Sequence, residues 1–166
     1  MSDWGTILAT TTGGWAPSGP AQDTTPPVTV AAPADHSGDG THTVAYRSVD
    51  AAGNTEQAKS LTVKVDTTGP ITKAKLTYAR VNHAVRLPYK ATDNLSPKVK
   101  GVKVVVKNSH GTTVKTIWVS TAKYVNTWYS VSWTPKAKGT YRYYVYAKDL
   151  AGNAQSVRGS AKVVVR

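Results

Sequence analysis

Apolar and polar residues alternate with a period of two along most of the chain, and this pattern predicts β-strands. The clearest example is the segment from Gly139 to Asp149, GTYRYYVYAKD. One face of that segment carries Tyr141, Tyr143, Val145 and Ala147, and the other carries Arg142, Tyr144, Tyr146 and Lys148. A period of two is typical of a strand that is buried on one side. No helical periodicity of useful length competes with it.

The block that ends in this strand occurs twice. Residues 40–54 (GTHTVAYRSVDAAGN) and 139–153 (GTYRYYVYAKDLAGN) align without a gap. Both copies begin with Gly-Thr, end with Asp-x-Ala-Gly-Asn and alternate in the same phase, which places Val44, Tyr46 and Ser48 on the inner face of the first copy. A further alternating run follows each copy, at 60–65 and 161–165. The repeated unit is therefore predicted to be a β-hairpin.

The Asp-x-Ala-Gly-Asn ending predicts a tight turn held by its own side chains. The carboxylate can accept backbone N–H bonds, and Gly and Asn tolerate the positive φ that such a turn needs. We expect the turn caps to be Asp50, Gly53 and Asn54 in the first copy and Asp149, Gly152 and Asn153 in the second. A calcium site is the alternative, but one carboxylate per turn favours backbone capping.

These residues resemble a known family. The block GTHTVAYRSVDAAGN, followed by KSLTVKVDTTGP, resembles the last two strands and exit linker of Ig-like repeats that occur in tandem in large secreted and cell-surface proteins of bacteria. From Lys103 onward, VVVKNSHGTTVKTI, SVSWTP and KGTYRYYVYAKDLAGN resemble the Ig-like domain of flagellar hook-capping proteins. The resemblance implies the fold, while such domains serve as spacers, adhesins and polymer binders alike.

Residues 71–166 have the length of a complete Ig-like domain. Turn sequences such as Asn108-Ser109-His110-Gly111 separate seven predicted strands. These strands are 71–78, 84–92, 101–107, 113–119, 127–133, 140–149 and 159–166. The predicted fold class is all-β, an Ig-like or fibronectin III-like antiparallel β-sandwich.

The first half of the chain is predicted to be a truncated copy of the same fold. Residues 1–27 are rich in Thr, Gly, Pro and Ser and indicate a flexible tail or linker. Residues 28–66 supply strands at 28–32, 41–50 and 59–65, about half of a sandwich. Residues 67–70 form a second linker. The missing strands come from residues 1–27, the second domain, another chain or sequence outside this one, so self-association through the first repeat is one expectation.

The net charge of +12 is divided unequally between the two halves. Residues 1–66 carry three basic and seven acidic residues, whereas residues 67–166 carry eighteen basic residues against Asp93 and Asp149. A surface of one sign attracts polyanions in a salt-dependent and largely non-specific way. The expected partner is an anionic cell-wall polymer or polysaccharide, with nucleic acid only as a non-specific polyanion.

Composition and motifs argue against several other classes of function. The chain has no cysteine, which excludes disulfides and Cys-based chemistry, and no apolar run long enough to span a membrane. Its first residues lack the pattern of a secretory signal peptide. No nucleophile with a base, paired carboxylates or metal-ligand spacing is visible, so we expect no enzymatic activity, metal or cofactor. The segment from Asp35 to Gly40 begins like a calcium loop, but Tyr46 stands where a bidentate Glu is required.

Aromatic residues on outward phases are the remaining candidates for a binding site. Stacked aromatics beside basic groups can hold a sugar ring or a nucleobase. The candidate surface consists of Trp118, Trp128, Arg142, Tyr144, Tyr146 and Lys148. Cross-strand stabilisation of the sheet, or burial against a neighbouring domain, would explain the same residues without a ligand.

The sequence therefore predicts a non-catalytic structural or adhesion module, extracellular or on the cell surface, within a bacterial protein. Two alternatives remain open. One is a module that binds polyanions or carbohydrate through the basic second domain. The other is an assembly subunit that exchanges strands with a neighbouring chain.

Overall fold

The computed structural model describes residues 30–50 and 52–166, and all of the regular structure in these residues is β. The strands are β1 Gly40–Tyr46, β2 Lys59–Val65, β3 Ile71–Ala74, β4 Thr77–Ala79, β5 Val85–Thr92, β6 Lys98–Lys107, β7 Thr113–Val119, β8 Lys123–Tyr124, β9 Trp128–Trp133, β10 Gly139–Asp149 and β11 Ser160–Val165. No helix in this part of the chain is long and apolar enough to cross a membrane. The chain divides into two compact units, with the boundary between Thr67 and Thr68.

The second unit, Thr68–Arg166, contains two sheets. The small sheet has the order β3-β5-β9, and the large sheet has the order β4-β11-β10-β6-β7, with β8 also paired to β6. All of these pairs are antiparallel except β4 and β11, which are parallel. β3, β5 and β9 correspond to strands A, B and E of an Ig sandwich, and β6, β10 and β11 to strands C, F and G. The all-β, Ig-like prediction is confirmed.

The core lies between the two sheets and is built from the inward phases that the alternation predicts. Leu87 and Tyr89 of the small sheet and Val104, Tyr143 and Val145 of the large sheet are almost fully buried. The other members of this cluster are Ala91, Val99, Val102, Val106, Val131, Trp133, Ala147, Ala161, Val163 and Val165. Because one face of each strand is buried, a period of two fixes which side chains face the core.

The first predicted strand of this unit, 71–78, is two strands in the structure. β3 pairs with β5 in the small sheet, whereas β4 pairs with β11 in the large sheet. The Tyr143 hydroxyl accepts a hydrogen bond from the Lys75 N–H at 3.0 Å and lies 2.8 Å and 2.6 Å from the carbonyl oxygens of Lys75 and Pro88. It therefore satisfies the backbone where the chain changes sheets and loses its ladder partners.

The described part of the first unit contains one antiparallel hairpin, β1 with β2, in a register from Gly40 opposite Val65 to Tyr46 opposite Lys59. The predicted strand at 41–50 ends early, because pairing stops at Tyr46. Beyond that point the Ser48 carbonyl accepts a bond from the Glu56 N–H at 3.0 Å as the turn begins. Tyr46, in the last pair of the hairpin, and Ser48 beyond it are both exposed, which corrects the predicted inner-face assignment of both. The predicted strand at 28–32 lies partly outside the described residues, and residues 30–32 are not in a strand.

The predicted tail, 1–27, lies outside the described residues. The boundary between the units falls within the stretch predicted as a linker, 67–70. Pro70 is fully buried, and its carbonyl accepts a hydrogen bond from the Ser156 N–H at 3.0 Å. A Cβ added at Gly69 would lie 1.8 Å from the Ala154 carbonyl oxygen. Gly69 and Pro70 are therefore packed closely against the segment that follows the second repeated turn.

Candidate ligand-binding face

The two repeated turns share the bonds from the final Asn to the Asp carboxylate and differ in one backbone donor. Asp149 Oδ1 accepts bonds from the backbone N–H groups of Gly152 and Asn153 at 2.6 and 2.8 Å, and its Oδ2 accepts one from Asn153 Nδ2 at 2.7 Å. Asp50 Oδ1 accepts bonds from the N–H groups of Ala52 and Asn54 at 2.9 and 2.8 Å. Its Oδ2 accepts one from Asn54 Nδ2 at 2.8 Å. Both carboxylates are thus occupied by their own turns.

Backbone conformation and environment complete the comparison of the turns. Gly53 and Gly152 have φ values of 86° and 110°, which side chains rarely adopt. Asp149 is fully buried, whereas Asp50 is exposed. Hydrogen bonds from the Asn54 side chain and backbone lower the pKa of Asp50. The carboxylate that holds the turn is therefore exposed to solvent in the first repeat and buried in the second.

The segment that begins like a calcium loop also uses its carboxylates internally. Asp35 Oδ1 accepts bonds from the Ser37 N–H and hydroxyl at 3.0 and 2.7 Å. Asp39 Oδ1 accepts bonds from the Thr67 N–H and hydroxyl at 2.8 and 2.5 Å. Among residues 30–50 and 52–166, no group of three His, Asp or Glu side chains could hold a metal ion. Asp39 instead fastens the loop to the end of the first unit.

The outer face of the large sheet brings together five of the six surface candidates. Arg142, Tyr144, Tyr146 and Lys148 follow one another on the outer phase of β10, and Trp118 lies on β7 with its side chain 66% exposed. Trp128 does not join them, because β9 belongs to the small sheet. There it lies beneath Lys75, whose Nζ is 4.1 Å from the ring centroid. We name the surface formed by β6, β7, β10 and β11 the outer face.

Lysine and arginine side chains lie directly opposite one another on the outer face. Arg142 of β10 is paired with Lys107 of β6 on one side and with Lys162 of β11 on the other. Lys148 is paired with Lys100 at the far end of the same strands. Opposite residues of an antiparallel pair have Cβ atoms about 4.5–5.5 Å apart, and like charges at that distance destabilise the sheet. The outer face therefore concentrates positive charge at a cost to the fold.

Aromatic rings and hydroxyls partly offset this repulsion. Lys103 Nζ lies 4.8 Å from the ring centroid of Tyr146 and 5.2 Å from that of Trp118. The Arg158 guanidinium lies 4.7 Å from the Tyr144 centroid and donates a hydrogen bond to the Tyr146 hydroxyl at 3.2 Å. Cations over aromatic faces are stabilised by roughly 0.5–1 kcal/mol at exposed sites. The rings thus hold the Lys103 and Arg158 cations in place on the outer face.

The outer face contains no carboxylate. The second unit has two acidic residues, Asp93 and Asp149, and both lie in turns. Asp93 Oδ1 accepts bonds from the N–H groups of Leu95 and Ser96 at 3.0 and 2.7 Å. None of the cations of the outer face forms an ion pair with a carboxylate of the described residues.

Sequence reasoning missed Lys103, Lys107, Arg158 and Lys162 as members of this surface. The sequence carries a signal for two of them. If Val102, Val104 and Val106 face inward, alternation places Lys103 and Lys107 outward. What the alternation does not provide is the cross-strand register that sets Lys107 and Lys162 on either side of Arg142. Arg158 lies before β11, so alternation along a strand does not indicate which way its side chain faces.

Comparison with known proteins agrees with this architecture. Residues 5–67 match the family model of a bacterial Ig-like domain. This Ig-like match begins within the stretch predicted as a tail, and it includes the β1–β2 hairpin. The second unit presents the same hairpin as β10 and β11, with Gly139 opposite Val165 as Gly40 is opposite Val65. A search of curated proteins found no match.

Solved structures with a similar chain path come from archaea and bacteria. A PKD domain of an M14-like peptidase from a Thermoplasmatales archaeon is 20% identical, with 58% of this chain and 91% of that chain covered and a TM-score of 0.40. A CARDB domain from Pyrococcus furiosus, crystallised with di-metal ions, is 18% identical, with coverage of 63% and 95% and a TM-score of 0.40. Dimeric latent PorU from Porphyromonas gingivalis is 16% identical, with coverage of 77% and 12% and a TM-score of 0.41. At these TM-scores the likenesses carry no weight for the function of this chain.

Proposed function

We propose that this chain is a non-catalytic Ig-like module of a bacterial secreted or surface protein, in which it serves as a structural and adhesive element. The observation that carries the proposal is the repeated hairpin with its Asp-x-Ala-Gly-Asn turn, found once in a segment that matches a bacterial Ig-like domain and once in a complete sandwich. Repetition of one unit is the signature of a tandem array. The resemblance of the second half to flagellar hook-capping proteins stays a prediction.

The use of the carboxylates supports a structural role. Asp50 and Asp149 hold the repeated turns, and Asp93 holds the turn that leads to β6. A carboxylate that accepts two backbone N–H bonds from its own turn is held in one position, which suits a cap. In this proposal residues 28–66 are a partial repeat, 67–70 join the units, and 71–166 are a complete domain.

The test of the surface location is the accessibility of the chain in the bacterium that encodes it. Antibodies against the chain should detect it in the culture medium or on intact cells, and proteinase K added to intact cells should remove the cell-bound signal. A periplasmic protein and a cytoplasmic protein serve as controls that must survive the protease. Signal that appears only after lysis, in the soluble cytoplasmic fraction, would overturn the proposal.

A second candidate is an assembly subunit in which the first unit accepts a strand from a neighbouring chain. Within the described residues, β1 and β2 form a two-stranded sheet, and Leu61 on β2 is 47% exposed. Two-stranded sheets are marginally stable in water, and an added strand would complete them through main-chain hydrogen bonds. Light scattering after size exclusion should then show oligomers whose fraction rises with concentration. A monomer across the micromolar to millimolar range would exclude this candidate.

A further inference from the structure

We propose that the outer face binds a linear acidic polysaccharide, with carboxylates of the polymer on its cations and a sugar ring on Trp118. This ligand deepens the adhesive part of the proposed function and rests on it. Binding is tested with purified components, whereas the surface location is tested on intact cells. A failure to bind would therefore not contradict the structural role or the surface location.

The fold does not need the rows of like charge on the outer face, which are Lys107–Arg142–Lys162 and Lys100–Lys148. Lys107, Arg142 and Lys162 occupy three adjacent strands in one row, where like charges repel. Uncharged polar residues would suit these solvent-facing positions equally well, and Ser160 and Thr116 occupy such positions in the next row. Natural proteins keep such local conflicts mainly where a function requires them. The missing counter-charge is therefore expected to come from a ligand.

The cations are oriented to receive anions. Arg142 Nη1 donates a hydrogen bond to the Ser160 hydroxyl at 3.1 Å, and Arg158 Nη1 donates to the Tyr146 hydroxyl. Each guanidinium has five N–H donors, so the remaining donors are free to grip a carboxylate. Because their side chains are already held, less conformational entropy is lost on binding.

The arrangement of aromatic rings favours an acidic polysaccharide over single-stranded nucleic acid as the ligand. Nucleic acid needs several aromatic faces on which successive bases stack. On the outer face the Tyr144 and Tyr146 rings already carry the Arg158 and Lys103 cations. Lys103 also lies beside Trp118, but Trp118 is 66% exposed, whereas Tyr144 and Tyr146 are only partly exposed, so the indole is the ring that a sugar can reach. The indole of Trp118 can stack on one sugar ring while the neighbouring Lys103 ammonium binds the carboxylate of that sugar. Further carboxylates along the same polymer would then reach the other cations of the outer face.

The test measures binding of the full chain to polygalacturonate by isothermal titration calorimetry at several salt concentrations. We expect the logarithm of the association constant to fall linearly with the logarithm of the salt concentration, as release of counterions requires. Lys107→Gln combined with Lys162→Gln should reduce affinity about tenfold at low salt and lower the salt slope by about two. Trp118→Ala should weaken binding with little effect on the slope, because the indole carries no charge.

Matched controls come from the small sheet. Lys73→Gln combined with Lys90→Gln removes the same charge from β3 and β5, and Trp128→Ala removes the same side chain from β9. Each control should change affinity less than about twofold, since rim charges away from a site contribute little. Equal losses from the two lysine pairs would show that the attraction is diffuse and would overturn the proposal.

Two further readouts keep the proposal falsifiable. Removal of the like-charge row should raise the melting temperature while it weakens binding, a combination that simple misfolding cannot produce. A neutral dextran should not bind. Oligo-dT that binds as tightly as polygalacturonate and depends equally on Trp118 would replace the polysaccharide by nucleic acid, and no binding of any polyanion at low salt would refute the proposal.

Discussion

Replacement of Tyr143 by Phe tests how the two sheets are joined. Tyr143 has no exposed surface, and its hydroxyl contacts the backbone of Lys75 and Pro88, where β3 ends and β5 passes. Phe keeps the ring and removes one oxygen. The Lys75 N–H and one carbonyl, both part-buried, then lose their partner, at no more than about 1–3 kcal/mol for each group that stays unsatisfied. Partial relaxation and water entry reduce the sum, so we expect a loss of about 2–3 kcal/mol.

The assay is equilibrium unfolding of the full chain in urea, followed by circular dichroism. The midpoint should fall with an unchanged slope, because the surface exposed on unfolding is the same. Tyr144→Phe is the matched control. Its position is the next residue of β10, but its side chain lies on the outer face. If Tyr143→Phe stays within about 0.5 kcal/mol of the parent chain, which is the usual range of surface changes, the hydroxyl does not join the sheets.

Three other predictions follow from the structure. Asp149→Ala should destabilise the second unit by about 1–3 kcal/mol in calcium or chelator, because the part-buried N–H groups of Gly152 and Asn153 lose their acceptor. Asp50→Ala in the exposed copy should cost less, and equal urea midpoints for both variants would contradict this. Trp133→Ala should cost about 3–5 kcal/mol in the same assay, because it empties a core position. Burial, with Tyr129 nearby, raises the pKa of Tyr89 to about 12. The unfolded chain therefore loses this proton first, and thermal stability should fall as the pH rises from about 10 to about 12, less steeply in Tyr89→Phe.

Local rules predicted most of the second unit. In β5, β6, β9 and β10 one face is buried, so alternation sets Leu87 with Tyr89, and Tyr143 with Val145, on a common side of their strands, and in the structure these sides face the core. The same rule placed Tyr46 inward incorrectly, because a period of two does not show where burial of a face ends. The change of sheet after Ala74 was also missed. It depends on the Tyr143 hydroxyl, which is far away in the sequence.

The candidate surface could be predicted only in part. Phase along one strand identified Arg142, Tyr144 and Tyr146 as neighbours, since residues two apart share a face. Trp128 was grouped with them because sequence alone does not assign β9 to a sheet. Lys107 and Lys162 join through cross-strand register, which is set by tertiary packing and not by local pattern.

The parallel pairing of β4 with β11 has a consequence for synthesis. Val163–Val165 are the partners of Thr77–Ala79, so the first and last parts of the second unit must meet before the large sheet is complete. Contacts between such distant segments delay folding, and sandwiches rich in them fold in about milliseconds to seconds. During translation at about 5–20 residues per second, β4 waits for its partner until β11 has left the ribosome. The unit can therefore close only when its synthesis is finished.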